Sequence, residues 1–432
     1  MKQLWLFFLV FICALDPEPE GAALRSQPQT TIAVISDPHY YDPSLGTVGD
    51  AFDHYLSSDR KLLREGPELL AEALRLVRES GADLLLVPGD LTKDGTLLSH
   101  QGIAGYFSRM EAEGTRVFVV PGNHDVNNGL ALSYHEDSTI RVENVNPERF
   151  VRVHADFGYS EALNRDPSSL SYLAEPVEGL WLLALDACLY DLNDSTGHSH
   201  TAGKFKKETI RWMRSILTGK EARRKTIIAM MHHGILEHYR TQERYFGEYV
   251  VKKNLRVARM LAKNDVVTIF TGHYHANDIT LKKWMDGTMI YDIETGSLVT
   301  YPCPVRMVEL SGDTMHIVTS YVDSLPSVPR DFPGYARACA ETSLSEGARQ
   351  VLLHMKLDPV EAGKLSPQIG EAFLAHLAGD EAEKKPWMDL DSIHLKSRIM
   401  ISFRKDLVRG LHNDLPPADN QLTIHLSTGT CR

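Results

Sequence analysis

The chain has 432 residues, of which 43% are hydrophobic and 24% are charged, and this composition is typical of a folded globular protein. Its length leaves room for two folding units, or three by the usual size of a domain. The formal net charge of -11 at pH 7 argues against a nucleic-acid duplex or an anionic membrane surface as the main partner. It does not exclude a small anionic substrate, because bound divalent cations dominate the local field of their site.

The N-terminus has a pattern typical of export. Lys2 precedes an uninterrupted apolar run, Leu4 to Leu15, after which the chain becomes polar. This run is short for a membrane-spanning helix but suits the core of a secretory signal. We expect residues 1–22 to be a signal peptide or N-terminal anchor and the protein to be exported, either secreted or held at a membrane through that anchor. Cleavage after Ala14, cleavage near Ala22-Ala23 and lipid attachment at Cys13 all remain open.

Five short apolar runs, each of the kind that forms a buried strand, end in residues that can bind a metal. In open α/β sheets the ends of the strands face the crevice that holds ligands, so side chains placed there meet. Independent surface histidines would not recur at such positions, and the set therefore predicts one shared site. The runs and the residues that follow them are Ile32 to Ile35 before Asp37 and His39, Leu84 to Val87 before Asp90, Val117 to Val120 before Asn123 and His124, Ile227 to Met231 before His232 and His233, and Val266 to Phe270 before His273 and His275.

The residue types at these positions favour a pair of divalent cations. Two such ions, about 3.5–4 Å apart, need a bridging carboxylate and a mixture of oxygen and nitrogen donors, and Asp90 is the natural bridge. Because side chains alternate along an extended segment, Asp37 and His39 are expected on one side, and so are His273 and His275. Carboxylate, amide and imidazole donors suit Mn, Fe, Zn and Mg alike, so the residues do not identify the ions.

The order of these motifs resembles that of the calcineurin-like metallophosphoesterases, over roughly residues 31 to 320. The motifs are Asp37-x-His39, Gly89-Asp90, Gly122-Asn123-His124-Asp125, His232 and Gly272-His273-x-His275. The resemblance implies that one metal is held by Asp37, His39, Asp90 and His275, and the other by Asp90, Asn123, His232 and His273. It also implies that His124 is the catalytic acid beside them. Since the family usually ligates through the first histidine of such a pair, we take His232 rather than His233.

The elements between the motifs predict an α/β fold. Helices over Pro67 to Ser80 and about Leu98 to Glu113 each follow a strand, which gives βαβ units. After His275 the pattern changes to short runs separated by turn residues such as Asp286-Gly287, and these predict hairpins that add antiparallel strands to a second sheet. We expect a four-layer α/β/β/α sandwich of two mixed sheets, with a small C-terminal helical domain. The sandwich is also the fold that the resemblance implies.

The proline-containing stretch from Ser324 to Pro333 is the best candidate for a domain boundary. Beyond it, one helix is predicted to begin at Ser366-Pro367 and to stop at Gly379. A longer helix carries Leu395, Ile399, Phe403 and Leu407 at four-residue intervals, a spacing typical of a face that packs into a core. The predicted divisions are therefore the N-terminal segment 1–22, a catalytic domain 30–323 and a helical domain 334–432.

Three weaker signals complete the survey. The loop over residues 40–65 follows a strand end, where loops commonly set specificity, although a plain solvated loop explains it equally well. His198 and His200 have metal-like spacing but no strand before them, so we interpret them as surface histidines. The remaining cysteines lack Cys-x-x-Cys spacing, and isolated thiols are favoured over a disulfide between the last two; they are Cys188, Cys303, Cys339 and Cys431.

The resemblance implies binuclear, metal-dependent hydrolysis of a small phosphate ester. Lys93 stands where purple acid phosphatases carry a tyrosine ligand, and Asp125 stands where protein Ser/Thr phosphatases carry glutamate. The arrangement is more similar to class III cyclic nucleotide phosphodiesterases, so we expect a phosphodiesterase acting on cyclic nucleotides or related diesters. The alternatives are an extracytoplasmic phosphomonoesterase, such as a nucleotidase or phosphatase, and a noncatalytic exported protein that keeps only the shape of the fold.

Overall fold

A computed structural model describes residues 27–57, 59–193, 197, 199–328, 330–379, 381–382 and 385–431. The export pattern at residues 1–22 and the side chain of His198 lie outside these ranges, so the expectations about them stay predictions. Within these ranges no helix is both long enough and apolar enough to cross a membrane.

The described residues form sixteen strands and eleven α-helices. The strands are β1 (Gln29–Val34), β2 (Leu84–Pro88), β3 (Arg116–Val120), β4 (Leu132–His135), β5 (Ser138–Arg141), β6 (Asn164–Arg165), β7 (Tyr172–Val177), β8 (Leu180–Leu185), β9 (Thr226–Met231), β10 (Thr268–Thr271), β11 (Asp278–Lys283), β12 (Met289–Glu294), β13 (Pro304–Ser311), β14 (Thr314–Tyr321), β15 (Gln421–His425) and β16 (Thr430–Cys431). The helices are α1 (Asp50–Ser57), α2 (Gly66–Glu79), α3 (Leu97–Ala112), α4 (Pro147–Val153), α5 (Lys207–Leu217), α6 (Gln242–Phe246), α7 (Asn254–Ala262), α8 (Phe332–His354), α9 (Pro359–Ala378), α10 (Leu395–Ser402) and α11 (Lys405–Gly410).

Two seven-stranded mixed sheets form the centre of the molecule. The first has the order β16-β15-β14-β13-β1-β2-β3, and the second has the order β11-β12-β10-β9-β8-β7-β6. In the first sheet β1, β2 and β3 run parallel, and in the second β8, β9, β10 and β12 do. Parallel neighbours place their C-terminal ends at one edge of the sheet, which is where the sequence places its candidate ligands.

The sheets pack face to face, with helices outside. Along β8, Leu182 and Ala184 belong to the core between the sheets, whereas Leu183 and Leu185 pack with residues of α5 and α7. Because both faces of β8 are covered, its sequence is apolar throughout rather than alternating. On the other side of the molecule, α2 contacts β13 and α3 contacts β3. The α/β/β/α sandwich predicted from the sequence is confirmed.

The hairpins after His275 are divided between the sheets, so the prediction that they all extend a second sheet is wrong in part. β11 and β12 join the second sheet, but β13 pairs antiparallel with β1, and β14 pairs with β13. The free edge of the parallel strands in the first sheet explains this, because an unpaired edge is a liability that a further strand removes.

Two helix predictions in the C-terminal region also need correction. Helix α9 begins at Pro359, not at Ser366-Pro367, because the Asp358 side chain accepts hydrogen bonds from two N–H groups of its first turn, as an N-cap does. The long helix predicted around Ile399 is two helices, α10 and α11, separated at Arg404 (φ -116°, ψ 4°). The stripe expected in the core is largely exposed, since Leu395, Ile399 and Phe403 are 70%, 52% and 73% accessible.

The last part of the C-terminal segment returns to the first sheet. After Gly410 the chain forms β15 and β16, and β15 pairs antiparallel with β14. The region 334–432 is thus helical only in its first part, and its status as a separate domain stays a prediction. Cys188, Cys303, Cys339 and Cys431 are all free thiols.

Ile424 tests how firmly the C-terminal strand belongs to the sheet. Its side chain is fully buried in the core between strands and helices, so Ile424→Ala should lower the free energy of unfolding by about 2–5 kcal/mol. Gln421→Ala, on the exposed side chain of the same strand, is the matched control and should change it by no more than about 0.5 kcal/mol. Urea-induced unfolding measures both, and equal effects would contradict the packing described for β15.

Candidate metal centre

The loops that follow β1, β2, β3, β9 and β10 meet at one place. Two groups of side chains there each have all their ligand atoms within 4.8 Å of one another. Every member is at least nine-tenths buried, and Asp90 belongs to both groups. The first group is Asp37, His39, Asp90 and His275, and the second is Asp90, His232 and His273.

Asp90 is placed as the carboxylate common to both groups. Its Oδ1 accepts a hydrogen bond of 2.9 Å from the backbone N–H of His124, which fixes the plane of the carboxylate. The other oxygen, Oδ2, lies 3.6 Å from His39 Nε2 and 3.3 Å from His232 Nε2. One oxygen therefore faces a histidine from each group, as a bridge between two cations requires.

Asp37 presents an oxygen that lacks a partner. Its Oδ2 accepts hydrogen bonds from the Ser36 hydroxyl at 2.5 Å and from the His273 N–H at 3.0 Å. Its Oδ1 is buried without a hydrogen-bond partner among the described residues, and it lies 3.3 Å from His275 Nε2. A buried carboxylate oxygen is costly to leave unmatched, so this position fits a cation.

The second group has the same character. His232 Nδ1 donates to the carbonyl oxygen of Pro88 at 3.0 Å, because a carbonyl can only accept, and Nε2 therefore keeps its lone pair toward the site. Asn123 Oδ1 lies 3.1 Å from that nitrogen. His273 Nε2 is buried and has no hydrogen-bond partner in the part of the chain that the structure describes. These donors fit a second divalent ion.

His233 is oriented differently from its neighbour. Its Nε2 donates to the carbonyl oxygen of Thr201 at 2.9 Å, and burial together with the charge of His232 lowers its pKa to about 3. The Nε2 atom of His232 is thus available to a cation, whereas the Nε2 atom of His233 is hydrogen-bonded to the backbone of another loop.

The convergence of the ligands was predicted, but its cause differs from the one expected. Asp37 and His39 do not alternate along an extended strand, and neither do His273 and His275. All four, with Asp90, have φ values between 39° and 80°, a left-handed conformation that costs a residue with a side chain about 1–3 kcal/mol. Such conformations persist where surrounding structure imposes them, and here they turn each strand end toward the site.

Two motif glycines are required by close approach. A Cβ at Gly122 would overlap Asp90 Oδ1, and a Cβ at Gly272 would overlap Asp37 Oδ2 and the Ser36 hydroxyl. Each glycine therefore lets a neighbouring loop lie directly against a carboxylate of the site. In the sequence, this requirement is visible as a glycine directly before Asn123 and directly before His273.

His124 lies at the mouth of the site, with its side chain 26% exposed. Its Nδ1 is 3.1 Å from Asp94 Oδ1, which leaves Nε2 facing the site, 4.0 Å from Asp90 Oδ2. Burial alone would lower the pKa of His124, but the carboxylates of Asp90 and Asp94 outweigh it and hold the pKa above its usual value. Sequence reasoning missed Asp94. It does not directly follow a strand, and only its contact with His124 in the folded chain reveals its role.

A cavity of about 160 Å³ opens over the ligands. Of the loop over residues 40–65, Asp59, Arg60 and Lys61 line it, together with Tyr249. Lys61 Nζ lies 3.3 Å from Asp59 Oδ2, and although burial opposes it, the charge of Lys61 helps to lower the pKa of Asp59 to about 2. Arg60 thus stands beside the Lys61–Asp59 ion pair on one wall, and the net positive charge there suits an anionic substrate.

A larger cavity of about 520 Å³ adjoins the first and shares Arg60 and Tyr249 with it. Its other walls are mainly apolar and aromatic, and most of them come from the C-terminal helices. They include Phe246, Tyr274, Leu344, Leu352, Phe373 and Leu407. The C-terminal region therefore shapes the surroundings of the metal centre.

The family model for calcineurin-like phosphoesterases matches residues 30–277, which is more than half of the chain, and the chain belongs to this family. It is accordingly a metal-dependent phosphoester hydrolase with a centre for two divalent cations, as the resemblance implied. No curated protein matches the chain in sequence.

Solved structures that are similar to this one include two phosphatases. A dimetal phosphatase from Danio rerio is 16% identical, with a TM-score of 0.45, over 68% of this chain and 96% of that chain. Purple acid phosphatase PPD1 from yellow lupin (Lupinus luteus) seeds is 9% identical, with a TM-score of 0.41, over 68% of this chain and 52% of that chain. At these values neither bears on the substrate.

The adjacent histidines allow a matched test of the second group. His232→Ala should remove a donor that faces Asp90 and weaken metal binding, so that the purified protein retains fewer than about two ions after dialysis. His233→Ala, the control, removes a ring of the same size and burial that donates to a backbone carbonyl, and should retain both. Plasma mass spectrometry gives the metal content, and two ions retained in His232→Ala would refute the assignment.

Proposed function

We propose that this protein is a phosphodiesterase whose substrates are cyclic nucleotides or related diesters. The observation that supports the metal centre most directly is Asp90 Oδ2, which lies between His39 Nε2 and His232 Nε2. In this proposal His124 is the catalytic acid, and the metal ligands are Asp37, His39, Asp90, Asn123, His232, His273 and His275.

When bound, the pair of divalent cations supplies a deprotonated nucleophile from solvent and neutralises negative charge that develops on the phosphoryl oxygens. The side chains of Arg60 and Lys61 line the cavity and would bind and orient oxygens of the phosphate group.

His124 is positioned to complete the reaction by giving a proton to the leaving oxygen. Its Nδ1 is held by Asp94, and Asp94 in turn forms an ion pair with Lys93 and accepts a 3.4 Å hydrogen bond from Asn128. This chain of contacts fixes the ring so that Nε2 points into the cavity. Asp94 acts through His124 and is a positioning residue.

The adjoining cavities support a diester over a monoester. A diester keeps an ester group on phosphorus beside the one that leaves, and this group needs room beyond the phosphate. The cavity over the ligands is small, whereas the neighbouring space beyond Arg60 and Tyr249 is about three times larger, about 520 Å³ against about 160 Å³. A flat or apolar ester group is more stable against these aromatic and aliphatic walls than in bulk water.

We also propose that the protein is exported, and the sequence pattern of residues 1–22 is the support for this. The protein would act outside the cytoplasm, either secreted or held by an N-terminal anchor. Mass spectrometry of the mature chain would distinguish these, because removal of the segment and lipid attachment change the mass differently.

His124→Ala should reduce turnover of a diester with an alkyl leaving group by roughly 10²- to 10⁴-fold, since an alkoxide leaves poorly without a proton. The loss should be smaller with a nitrophenyl leaving group, and both metals should stay bound. His135→Ala, an exposed histidine on β4, is the control. Unchanged turnover of the alkyl ester would remove His124 from this role.

The substrate class is tested by comparing kcat/KM for a cyclic nucleotide and for a simple phosphomonoester on one metal-replete sample. We expect the diester to be preferred, because the adjoining cavity accommodates its second ester group. A clear preference for the monoester would favour the phosphomonoesterase instead. A metal-replete protein inert toward both would favour the noncatalytic alternative.

A further inference from the structure

A second set of buried histidines and carboxylates lies where helix α9 meets the catalytic sheets. His238 is in the loop after β9, Asp278 begins β11, and His376 is in the last turn of α9. Each offers one ligand atom, and these atoms lie within 4.8 Å of one another. All three residues are only 1% exposed. Three residues that are distant in sequence thus converge in the interior, in a group separate from the ligands described above.

Ring nitrogens of this cluster lack hydrogen-bond partners among the described residues. Neither nitrogen of His238, nor Nε2 of His376, has a hydrogen-bond partner among the described residues. His376 Nδ1 lies 2.5 Å from Glu381 Oε1, and because a carboxylate accepts, Nδ1 donates and Nε2 keeps its lone pair. A carboxylate that orients a histidine in this way is the usual support of a metal-ligating histidine. Unsatisfied buried nitrogens are rare, so the cluster calls for a ligand.

The charges around the cluster point to a cation. The buried carboxyl groups of Asp419 and Glu381 lie near that of Asp278. Glu294 Oε2 lies 2.7 Å from His238 Nδ1, and Asp292 Oδ2 lies 3.7 Å from His238 Nε2, although neither contact is a hydrogen bond. The buried Arg306 donates to the backbone carbonyls of Glu294 and Asp419. A divalent cation would offset the negative charge that these carboxylates place in the interior.

We propose that His238, Asp278 and His376 bind a third divalent cation, separate from the dinuclear centre and structural in role. Two imidazoles and one carboxylate are donors that Zn²⁺ accepts readily, and Glu381 orients His376 from outside the ligand set. Three donors leave a fourth tetrahedral position, but because all three side chains are buried this position is closed to a substrate, and the role of the ion is structural.

Such an ion would join the C-terminal helices to the catalytic part of the chain. Asp278 follows closely after His273 and His275, and the N–H of Asn277 donates to the carbonyl oxygen of Leu377 in α9 at 3.1 Å. The ion would therefore fasten α9 to the loop that carries two ligands of the dinuclear centre. The cavity that the C-terminal helices line would keep its shape only while this connection holds.

The test counts metal on the full-length protein. Chelated protein is reloaded with Zn²⁺, freed of excess metal by gel filtration and analysed by plasma mass spectrometry. We expect about three ions per chain in the wild type and about two in His376→Ala, since loss of one imidazole weakens such a site strongly. His354→Ala, an exposed histidine at the end of α8, should keep three. His273→Ala should lose metal from the dinuclear centre and still keep the third ion.

Two ions in the wild type would overturn the proposal, and so would three ions in a folded His376→Ala. If His376→Ala does not fold, Asp278→Asn serves as the second variant, and anomalous diffraction from wild-type crystals soaked in Zn²⁺ decides independently. A peak beside His238 and His376 supports the site, and none there at full occupancy of the dinuclear centre refutes it. Because the count does not depend on turnover, it stands apart from the choice of substrate.

Discussion

A single oxygen atom, Asp90 Oδ2, must face two groups of metal-binding side chains at once, and much of the surrounding structure follows from that constraint. Each group combines residues from both sheets, so the strand ends of both sheets have to meet at this oxygen. His39 approaches it from the first sheet and His232 from the second. Left-handed backbone at the ligands and the absence of a side chain at Gly122 are what allow the approach.

Residues that do not face the centre hold this geometry in place. The carboxylate of Asp125 accepts hydrogen bonds from the N–H groups of Leu91, Thr92 and Gly122 and from the Thr92 hydroxyl. It thereby ties the loop after β2, which carries Asp90, to the loop after β3. The aspartate directly after His124 thus has a structural role. Its hydrogen bonds help to hold the left-handed residues of the site, each of which costs about 1–3 kcal/mol.

The sequence was informative where chemistry follows a local pattern. Short apolar runs predicted the strands, and the polar residues after them predicted which side chains would converge. What it could not predict depends on contacts between distant segments. The pairing of β13 with β1, the orientation of His124 by Asp94, and the cluster of His238, Asp278 and His376 each join residues whose relation is set only by the folded chain. The exposure of Leu395 and Ile399 likewise depends on which helices cover α10, and spacing alone does not reveal this.

The C-terminal segment contributes both to the first sheet and to the surroundings of the metal centre. Its helices wall the larger cavity and its last strands extend the first sheet, so the metal centre and the larger cavity beside it come from different parts of the chain. Specificity can then change through the C-terminal helices while the ligands stay the same, which is consistent with the general separation of a scaffold from the loops and additions that set its specificity.

Anomalous diffraction from crystals of the metal-loaded protein tests the central claim most directly. The account predicts two peaks about 3.5–4 Å apart, with an oxygen of Asp90 between them. A single ion, or two ions that Asp90 does not contact, would contradict it.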